Sequence, residues 1–215
     1  MDVGFDIETM RNGALIGKLP EPEVSLGNLK DPAKIEEKKA AVKAEQIEKM
    51  ALSPIWGRMC SYAIAGDGVE HSAVIAKDTD SAETDLLEQC FSQIREHRII
   101  TYNGNGFDLP FLFRRAVILG VDPREWGIAT LAELTQRYNN SWHVDLMTVW
   151  AGYNGREKLE NVATAVLGDH KQDIDFREFP ELIRTAEGQK KIMQYNLQDA
   201  ILTLQLFNRF DGVLC

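Results

Sequence analysis

The sequence is poor in the features that mark secreted, membrane-spanning and zinc-binding proteins. Only three of its 215 residues are cysteine, an odd number without ligand-like spacing, which argues against a disulfide framework and a cysteine zinc site. No apolar run approaches the roughly 20 residues of a membrane-spanning helix. The opening segment MDVGFDIETM also lacks the basic region of a secretory signal. We therefore expect a cytoplasmic protein without membrane contact.

Basic residues are scarce relative to acids. The chain has 24 lysine and arginine residues against 33 acidic ones, a net charge of −9. A protein that coats nucleic acid regardless of sequence needs a broadly basic face, so this class is disfavoured. An enzyme that gathers carboxylates around metal ions remains compatible with the charge. The length suits a single domain over 1–215, because it allows a substantial core.

Hydrophobic periodicity and turn residues predict strands first and then alternating strands and helices. The predicted strands are 3–7, 58–65, 69–76, 99–102 and 143–146. The predicted helices are 31–52, 84–97, 109–119, 148–151, 159–167 and 188–210. This order indicates an α/β fold with a mixed sheet flanked by helices.

Residues 28–53 are interpreted as a charged helical insertion between the first and second strands. Asp31-Pro32 is a good start for its helix, and Ser53-Pro54 a good stop. Its lysines and acids nearly cancel, which favours a solvated helix. The alternative is a functional element, either a wall that guides a ligand to a site or a docking element for a partner.

Acidic side chains occur in three places where a core element would not normally have them. The first is Asp6-Ile7-Glu8 in the opening strand. Side chains two apart on a strand project to the same face, so Asp6 and Glu8 stand together. Two adjacent carboxylates repel each other unless a cation lies between them. The alternative is a strand that frays into solvent at Glu8.

The second place is the glycine-rich turn NGNGFD after the strand at 99–102. It presents Asp108 at the start of a helix, where this acid could act on a ligand or simply cap the helix. Phe107 could belong to the core, or offer a face on which a base stacks. The third place is the last helix, in which Tyr195 and Asp199 are four residues apart and share a face.

In this order, the three segments resemble the three exonuclease motifs of the DEDD superfamily of 3′→5′ exonucleases, which has a ribonuclease-H-like fold. The spacing from Tyr195 to Asp199 is that of its tyrosine subclass, since the histidine subclass has its histidine where Gln194 stands. YNGNGFDLPFL and WHVDLM are similar to stand-alone exonucleases related to the proofreading domain of family B DNA polymerases, often found in phages.

The resemblance implies a metal-dependent exonuclease that hydrolyses single-stranded DNA from the 3′ end to 5′-mononucleotides. By this resemblance Asp6, Glu8, Asp108 and Asp199 bind two divalent cations, Mg²⁺ or Mn²⁺, roughly 3.5–4 Å apart. Tyr195 is the fifth catalytic residue and orients the attacking water. Contacts with the substrate are expected from four further residues: Asn103, Phe107, Thr9 and Met10. Asn103 could equally cap its turn.

Several alternatives stay open. The substrate could be RNA instead of DNA, because the sequence does not show how the site distinguishes the 2′-hydroxyl. A catalytically silent binding or scaffold module can also have this fold. His143 and Asp145 could take part in metal binding, although capping of a helix or bracing of a loop by Asp145 is favoured. Replication or recombination proteins are the expected partners besides single-stranded 3′ ends.

Overall fold

The computed structural model describes residues 1–168 and 174–215, and a five-stranded sheet forms its centre. The strands are β1 (Asp2–Arg11), β2 (Gly57–Gly66), β3 (Val69–Val74), β4 (Arg98–Thr101) and β5 (His143–Asp145). The helices are α1 (Pro32–Lys49), α2 (Asp80–Ile94), α3 (Asp108–Leu119), α4 (Leu131–Leu134), α5 (Leu146–Ala151), α6 (Leu159–Leu167), α7 (Phe179–Leu182) and α8 (Ala186–Phe210).

The sheet is mixed, with the strand order β3-β2-β1-β4-β5. Strand β2 runs antiparallel to both of its neighbours, β1 and β3, whereas β4 runs parallel to β1 and β5. The β2–β3 pair is the predicted hairpin. The predicted α/β architecture, a ribonuclease-H-like mixed sheet flanked by helices, is confirmed.

Strand β1 is longer than the predicted strand 3–7 because pairing with β2 extends it to Arg11. Local sequence does not reveal this pairing, since the partner residues lie about 50 positions further along. The register shifts between Glu8 and Thr9, which is a β-bulge of the kind that often lies beside functional sites. Asp6 and Glu8 therefore lie within the strand and not at its frayed end.

The two faces of the sheet are covered by different helices. Phe5 and Ile7 of β1 lie in the main core, together with apolar side chains of α2 and α3. Helix α8 covers the opposite face, where the contacts are made by small residues such as Ala63 and Ala200. A Cβ atom added at Gly4 would collide with the carbonyl oxygen of Ala200. Helix and sheet therefore meet there with almost no side chain between them.

Helix α1 lies between β1 and β2 in the chain and buries none of its side chains. The Asp31 side chain accepts a hydrogen bond from the Ala33 amide, as expected for the predicted N-cap. Of its lysines, three pair with glutamates: Lys39 with Glu36, Lys43 with Glu21 and Lys49 with Glu45. The helix ends at Lys49, and a 3₁₀ turn over Met50–Leu52 follows, of which Met50 and Ala51 are buried.

A buried ion network ties α2 and α3 to β2. Glu83 of α2 is fully buried and accepts hydrogen bonds from Arg58 of β2 at 2.9 Å and from Arg115 of α3 at 2.7 Å. Arg115 also donates to the carbonyl oxygen of Pro54 in the segment before β2. The network therefore joins three elements and one loop beneath the sheet.

Within residues 1–168 and 174–215, no helix combines the length and the apolar character needed to cross a membrane.

Candidate active site

The two acids of β1 lie where this strand extends beyond its parallel neighbour. Strand β4 pairs only with Asp2–Gly4, so that Asp6 and Glu8 continue past the end of that pairing. On the other edge of β1, Asp6 is opposite Ala63 and Glu8 is opposite Ser61. Both carboxylates are half-buried. Ligands of open α/β sheets commonly bind at such carboxyl ends of parallel strands.

Helix α8 adds the third acid of the site. Asp199 precedes Ala200, the residue at which the helix backbone contacts Gly4 of β1, and its side chain is buried. One carboxylate oxygen from each of Asp6, Glu8 and Asp199 lies within 4.8 Å of the others. Such a group of hard oxygen donors can hold a divalent cation such as Mg²⁺ or Mn²⁺. The structure thus brings together three of the four predicted metal ligands.

Asp108, the fourth predicted ligand, lies beside this group but outside it. It is the first residue of α3 and is not the N-cap, a position held by Phe107. Its Oδ1 atom accepts a hydrogen bond from the amide of Ile7, which lies between Asp6 and Glu8. Burial raises the pKa of Asp108 to about 7, and the nearby charges of Asp145 and Asp199 add to this effect.

An uncharged side chain contacts the site from α8. Asn196 is fully buried, and its amide lies between Asp6 and Ser61. With Nδ2 facing Asp6, the amide donates to Oδ2 and to the main-chain oxygen of Asp6, both at 3.2 Å. The opposite orientation would place an acceptor against two acceptors, so we assign the first orientation.

The amide oxygen of Asn196 then faces Ser61 Oγ at 3.0 Å. This hydroxyl also lies 2.7 Å from the carbonyl oxygen of Ala73, and its single proton serves these two acceptors. Sequence analysis missed Asn196, because a polar residue beside Tyr195 in a helix has no distinctive spacing. Its burial depends on packing against β2.

Tyr195 lines a slot of about 160 Å³ next to the acidic group. Glu8, Thr9 and Phe107 line the same slot, so two of the four predicted substrate contacts lie here. The remaining walls are apolar and come from the turn after α1 and from the segment before α8: Ala51, Leu52, Ile174, Phe176 and Phe179. Sequence analysis did not identify these residues, since exposed Leu52 and Phe176 lie in turns without a recognisable motif.

Met10 does not lie at the surface of this slot. Its side chain is fully buried in the main core, so it has no accessible atoms to offer a substrate. Met10 was predicted to contact the substrate, but the bulged pairing of β1 with β2 places its side chain in the interior.

Asp145 braces the loop that precedes Asp108. Its carboxylate accepts hydrogen bonds from the amides of Asn103 and Asn105, each at 3.0 Å, and it also caps α5 by accepting from the Met147 amide. This matches the favoured interpretation of Asp145. Asn103 has a left-handed backbone with φ of 70°, which asparagine tolerates better than most residues. It lines a separate cavity and is not among the residues that line the slot.

His143 is buried in a structural position. Its ring nitrogens lie 2.7 Å from Thr101 Oγ1 and 3.1 Å from the carbonyl oxygen of Leu134. Burial lowers the pKa of His143, which favours the neutral ring. Both ring nitrogens therefore have partners within the fold.

Comparisons with known proteins show which family this chain is similar to. A family profile described as "Predicted 3'-5' exonuclease related to the exonuclease domain of PolB" matches residues 56–214. The chain is 35% identical over 166 residues to DNA polymerase 1 of Aeropyrum pernix, covering 70% of this chain and 17% of that protein. It is 32% identical over 143 residues to DNA polymerase 1 of Saccharolobus solfataricus, covering 61% of this chain and 16% of that protein.

Among solved structures, the family B DNA polymerase of Pyrobaculum calidifontis has a similar fold. The TM-score is 0.62 at 20% sequence identity, and the match covers 97% of this chain and 24% of the polymerase. The chain thus corresponds to less than a quarter of each of these relatives.

Proposed function

We propose that this chain, which belongs to the family of predicted 3′–5′ exonucleases related to the exonuclease domain of PolB, hydrolyses single-stranded DNA from the 3′ end to 5′-mononucleotides. The observation that carries the proposal is the group of Asp6, Glu8 and Asp199, whose carboxylate oxygens lie within 4.8 Å of one another. The named relatives are DNA polymerases, which supports DNA as the substrate.

The family implies the use of divalent metal, and the donor set fits this use. Carboxylate oxygens are the ligands that Mg²⁺ and Mn²⁺ prefer. We propose two ions, held by Asp6, Glu8 and Asp199 with Asp108 beside them. When bound, such ions supply positive charge that stabilises the oxygen of the attacking water and the leaving oxygen of the phosphodiester.

The chain's own residues position the reactants. Tyr195 lines the slot together with Glu8, which supports a role for its hydroxyl in orienting the attacking water. The apolar walls of the slot suit the terminal base of a strand, and Phe107 offers an aromatic ring at that position. Thr9 lies at the same slot and can contact the sugar or the phosphate. Asn196 holds the carboxylate of Asp6 in a fixed orientation.

A time course on matched 5′-labelled DNA and RNA oligonucleotides tests the proposal. With Mg²⁺ or Mn²⁺ we expect a ladder that shortens from the 3′ end of DNA, and no reaction with chelator. Asp6→Ala and Asp199→Ala should abolish the ladder and remain folded. Tyr195→Phe should retain activity reduced by about 10²-fold, the size of a lost positioning or proton-transfer contact.

The other outcomes of this time course distinguish the alternatives. Full activity of either aspartate variant would refute the assignment of the site. Equal or faster degradation of RNA would indicate an exoribonuclease. No degradation of either strand with any metal would favour a silent binding module of the same fold.

We also propose a reducing compartment such as the cytoplasm, and a role in replication or recombination alongside proteins of those processes. The three free cysteines, two of them buried, support the first part, and the polymerase relatives support the second. A phage origin stays a prediction.

A further inference from the structure

A second cavity, of about 550 Å³, is lined on one wall by the loop that leads to Asp108, through Asn103, Asn105 and Gly106. The other lining residues are Thr135, Arg137, Asp145, Met147, Thr148 and the segment 153–156. Its volume is within the range of cavities that bind small ligands or parts of larger ones. Its lining is predominantly polar, unlike that of the slot beside Tyr195.

The accessible charge of this cavity is positive, although the protein as a whole is acidic. Arg137 and Arg156 line it and are exposed, and within the described ranges neither forms an ion pair with a carboxylate. Asp145 is the acid among the lining residues, and its two oxygens already accept amide hydrogens of Asn103, Asn105 and Met147. Two arginines are thus available to an anion.

One of the arginines is held in place before any ligand arrives. The Arg137 guanidinium lies 4.6 Å from the centre of the Tyr153 ring. The Tyr153 hydroxyl accepts a hydrogen bond from the Tyr138 amide, and the two tyrosine rings pack edge to face at 5.5 Å. Tyr138 has a left-handed backbone with φ of 64°, a conformation that is costly for a bulky residue. These contacts of Arg137 and Tyr138 with Tyr153 fix the cationic wall.

The cavity adjoins the slot through consecutive residues. Gly106 lines the cavity and Phe107 lines the slot, and neighbouring Cα atoms are about 3.8 Å apart. A strand whose 3′ end lies in the slot would need to cross only this loop to reach the two arginines.

We propose that this cavity binds the phosphodiester backbone of the substrate strand upstream of the scissile bond, with Arg137 and Arg156 each contacting a phosphate. The inference rests on the proposed function and extends it, since it explains how an acidic protein retains a polyanion. Binding is concentrated at one cationic cavity and does not need a basic surface.

The test compares binding of a fluorescent ten-nucleotide DNA strand, in chelator, across a range of salt concentrations. Arg137→Ala and Arg156→Ala should each weaken binding and reduce the slope of log K against log salt concentration by about 0.7, the value for one phosphate contact on a single strand. The double variant should lose about twice that slope. Arg124→Ala is the matched control, because Arg124 is exposed, pairs with Asp122 and lies away from the cavity.

A short substrate separates this proposal from the proposed function. The p-nitrophenyl ester of thymidine 5′-monophosphate has no upstream phosphate, so its metal-dependent hydrolysis should be unchanged in both arginine variants. For the ten-nucleotide strand the same variants should show a raised KM with little change in kcat. Arg137→Lys should restore part of the affinity.

Unchanged salt slopes in both variants, or an equal loss in Arg124→Ala, would overturn the cavity proposal and leave the exonuclease assignment intact. Conversely, a wild-type protein that hydrolyses neither substrate, but whose DNA binding depends on both arginines, would retain the cavity and overturn the catalytic assignment.

Discussion

At the scale of single residues, Asn196 is the uncharged side chain on which the orientation of Asp6 depends. Its amide donates to the Asp6 carboxylate and to the Asp6 main-chain oxygen, each at 3.2 Å. Asp6 is one of the three acids whose oxygens lie within 4.8 Å of one another, so these contacts act on a predicted metal ligand. Groups that orient metal ligands in this way commonly contribute 10- to 100-fold to metal affinity or activity.

We expect Asn196→Ala to weaken the binding of Mn²⁺ by about 10-fold or more, because the carboxylate of Asp6 loses its orienting donor. Titration calorimetry measures this affinity directly, without turnover. Asn161→Ala is the control. Asn161 lies on α6, donates a hydrogen bond to Glu157 just before that helix, and does not contact the site. A folded Asn196→Ala protein with wild-type Mn²⁺ affinity would contradict the role of the amide.

The acids and Tyr195 could be identified from the sequence, whereas Asn196 could not. Asp6 and Glu8 are two residues apart in β1, and Tyr195 and Asp199 are four apart in α8, so strand and helix periodicity places each pair on one face. The hydrogen-bond partner of Asn196 on β2, Ser61, is 135 residues away, so that the relation exists only after the sheet and α8 have packed. Met10 was expected to contact the substrate, but packing buries its side chain completely.

At the scale of elements, the contact between β1 and α8 sets the position of Asp199. Substitution Gly4→Ala would press a methyl group against the carbonyl oxygen of Ala200, so α8 must move away from the sheet. We expect a loss of about 1–3 kcal/mol in the free energy of unfolding. We also expect Mn²⁺ to raise the melting temperature less than in the wild type, because Asp199 moves away from Asp6.

Gly17→Ala is the matched control for this change. Gly17 has no neighbouring atom within 4 Å of an added Cβ atom, so its substitution should leave both quantities unchanged. Wild-type stability and Mn²⁺ response in Gly4→Ala would show that α8 adjusts without displacing the acid.

The start of the β1–β4 pairing has a pH-dependent ion pair. Arg98 donates to both carboxylate oxygens of Asp2, at 2.6 and 2.7 Å, and these hydrogen bonds lower the pKa of Asp2. The stabilisation is therefore complete above the unfolded-state pKa of about 3.9 and is lost as the pH falls through the lower folded-state value. Both side chains are 34% exposed, so solvent screening keeps the effect below about 1 kcal/mol.

We expect Asp2→Asn to lower the free energy of unfolding at pH 7, and the difference from the wild type to shrink as the pH falls below about 4 and to vanish below the lowered folded-state pKa of Asp2. Urea unfolding at several pH values measures this. Asp67→Asn, in the exposed turn between β2 and β3, is the control with the same loss of charge. A difference that persists undiminished at low pH would exclude the ion pair as its cause.

The sequence predicted most elements because their periodicity and caps are local. Helix α3 begins one residue before its prediction, at Asp108, and α8 two residues before, at Ala186. The bounds of β1 were wrong, since its last four residues are held by pairing with β2 and not by alternation. The short helices α4 and α7 were not predicted, because four residues are too few to show a period.

At the scale of the whole molecule, the buried network around Glu83 joins parts of the fold that are distant in the chain. Glu83→Gln would leave the buried Arg115 without its carboxylate partner, and Arg58 with only Asp78 and Asp80. We expect a loss of about 3–5 kcal/mol in the free energy of unfolding, the range found when one partner of a buried pair is removed. Urea unfolding measures it.

Glu88→Gln is the matched control, because Glu88 lies on the exposed face of the same helix, α2. A change of less than about 1 kcal/mol is expected there. A similarly small effect of Glu83→Gln would mean that the flanking acids Asp78 and Asp80, which also contact Arg58, balance the network without Glu83.

The close contact between Gly4 and Ala200 has a consequence for how the protein responds to heat. The backbones of β1 and α8 are in direct contact there. No flexible side chain therefore lies between them that could fill the gap if α8 moved gradually away from β1. The three acids must then keep their spacing until helix and sheet part altogether. We expect cation binding to stay nearly constant on warming and to disappear in a single step, at the temperature at which the domain unfolds.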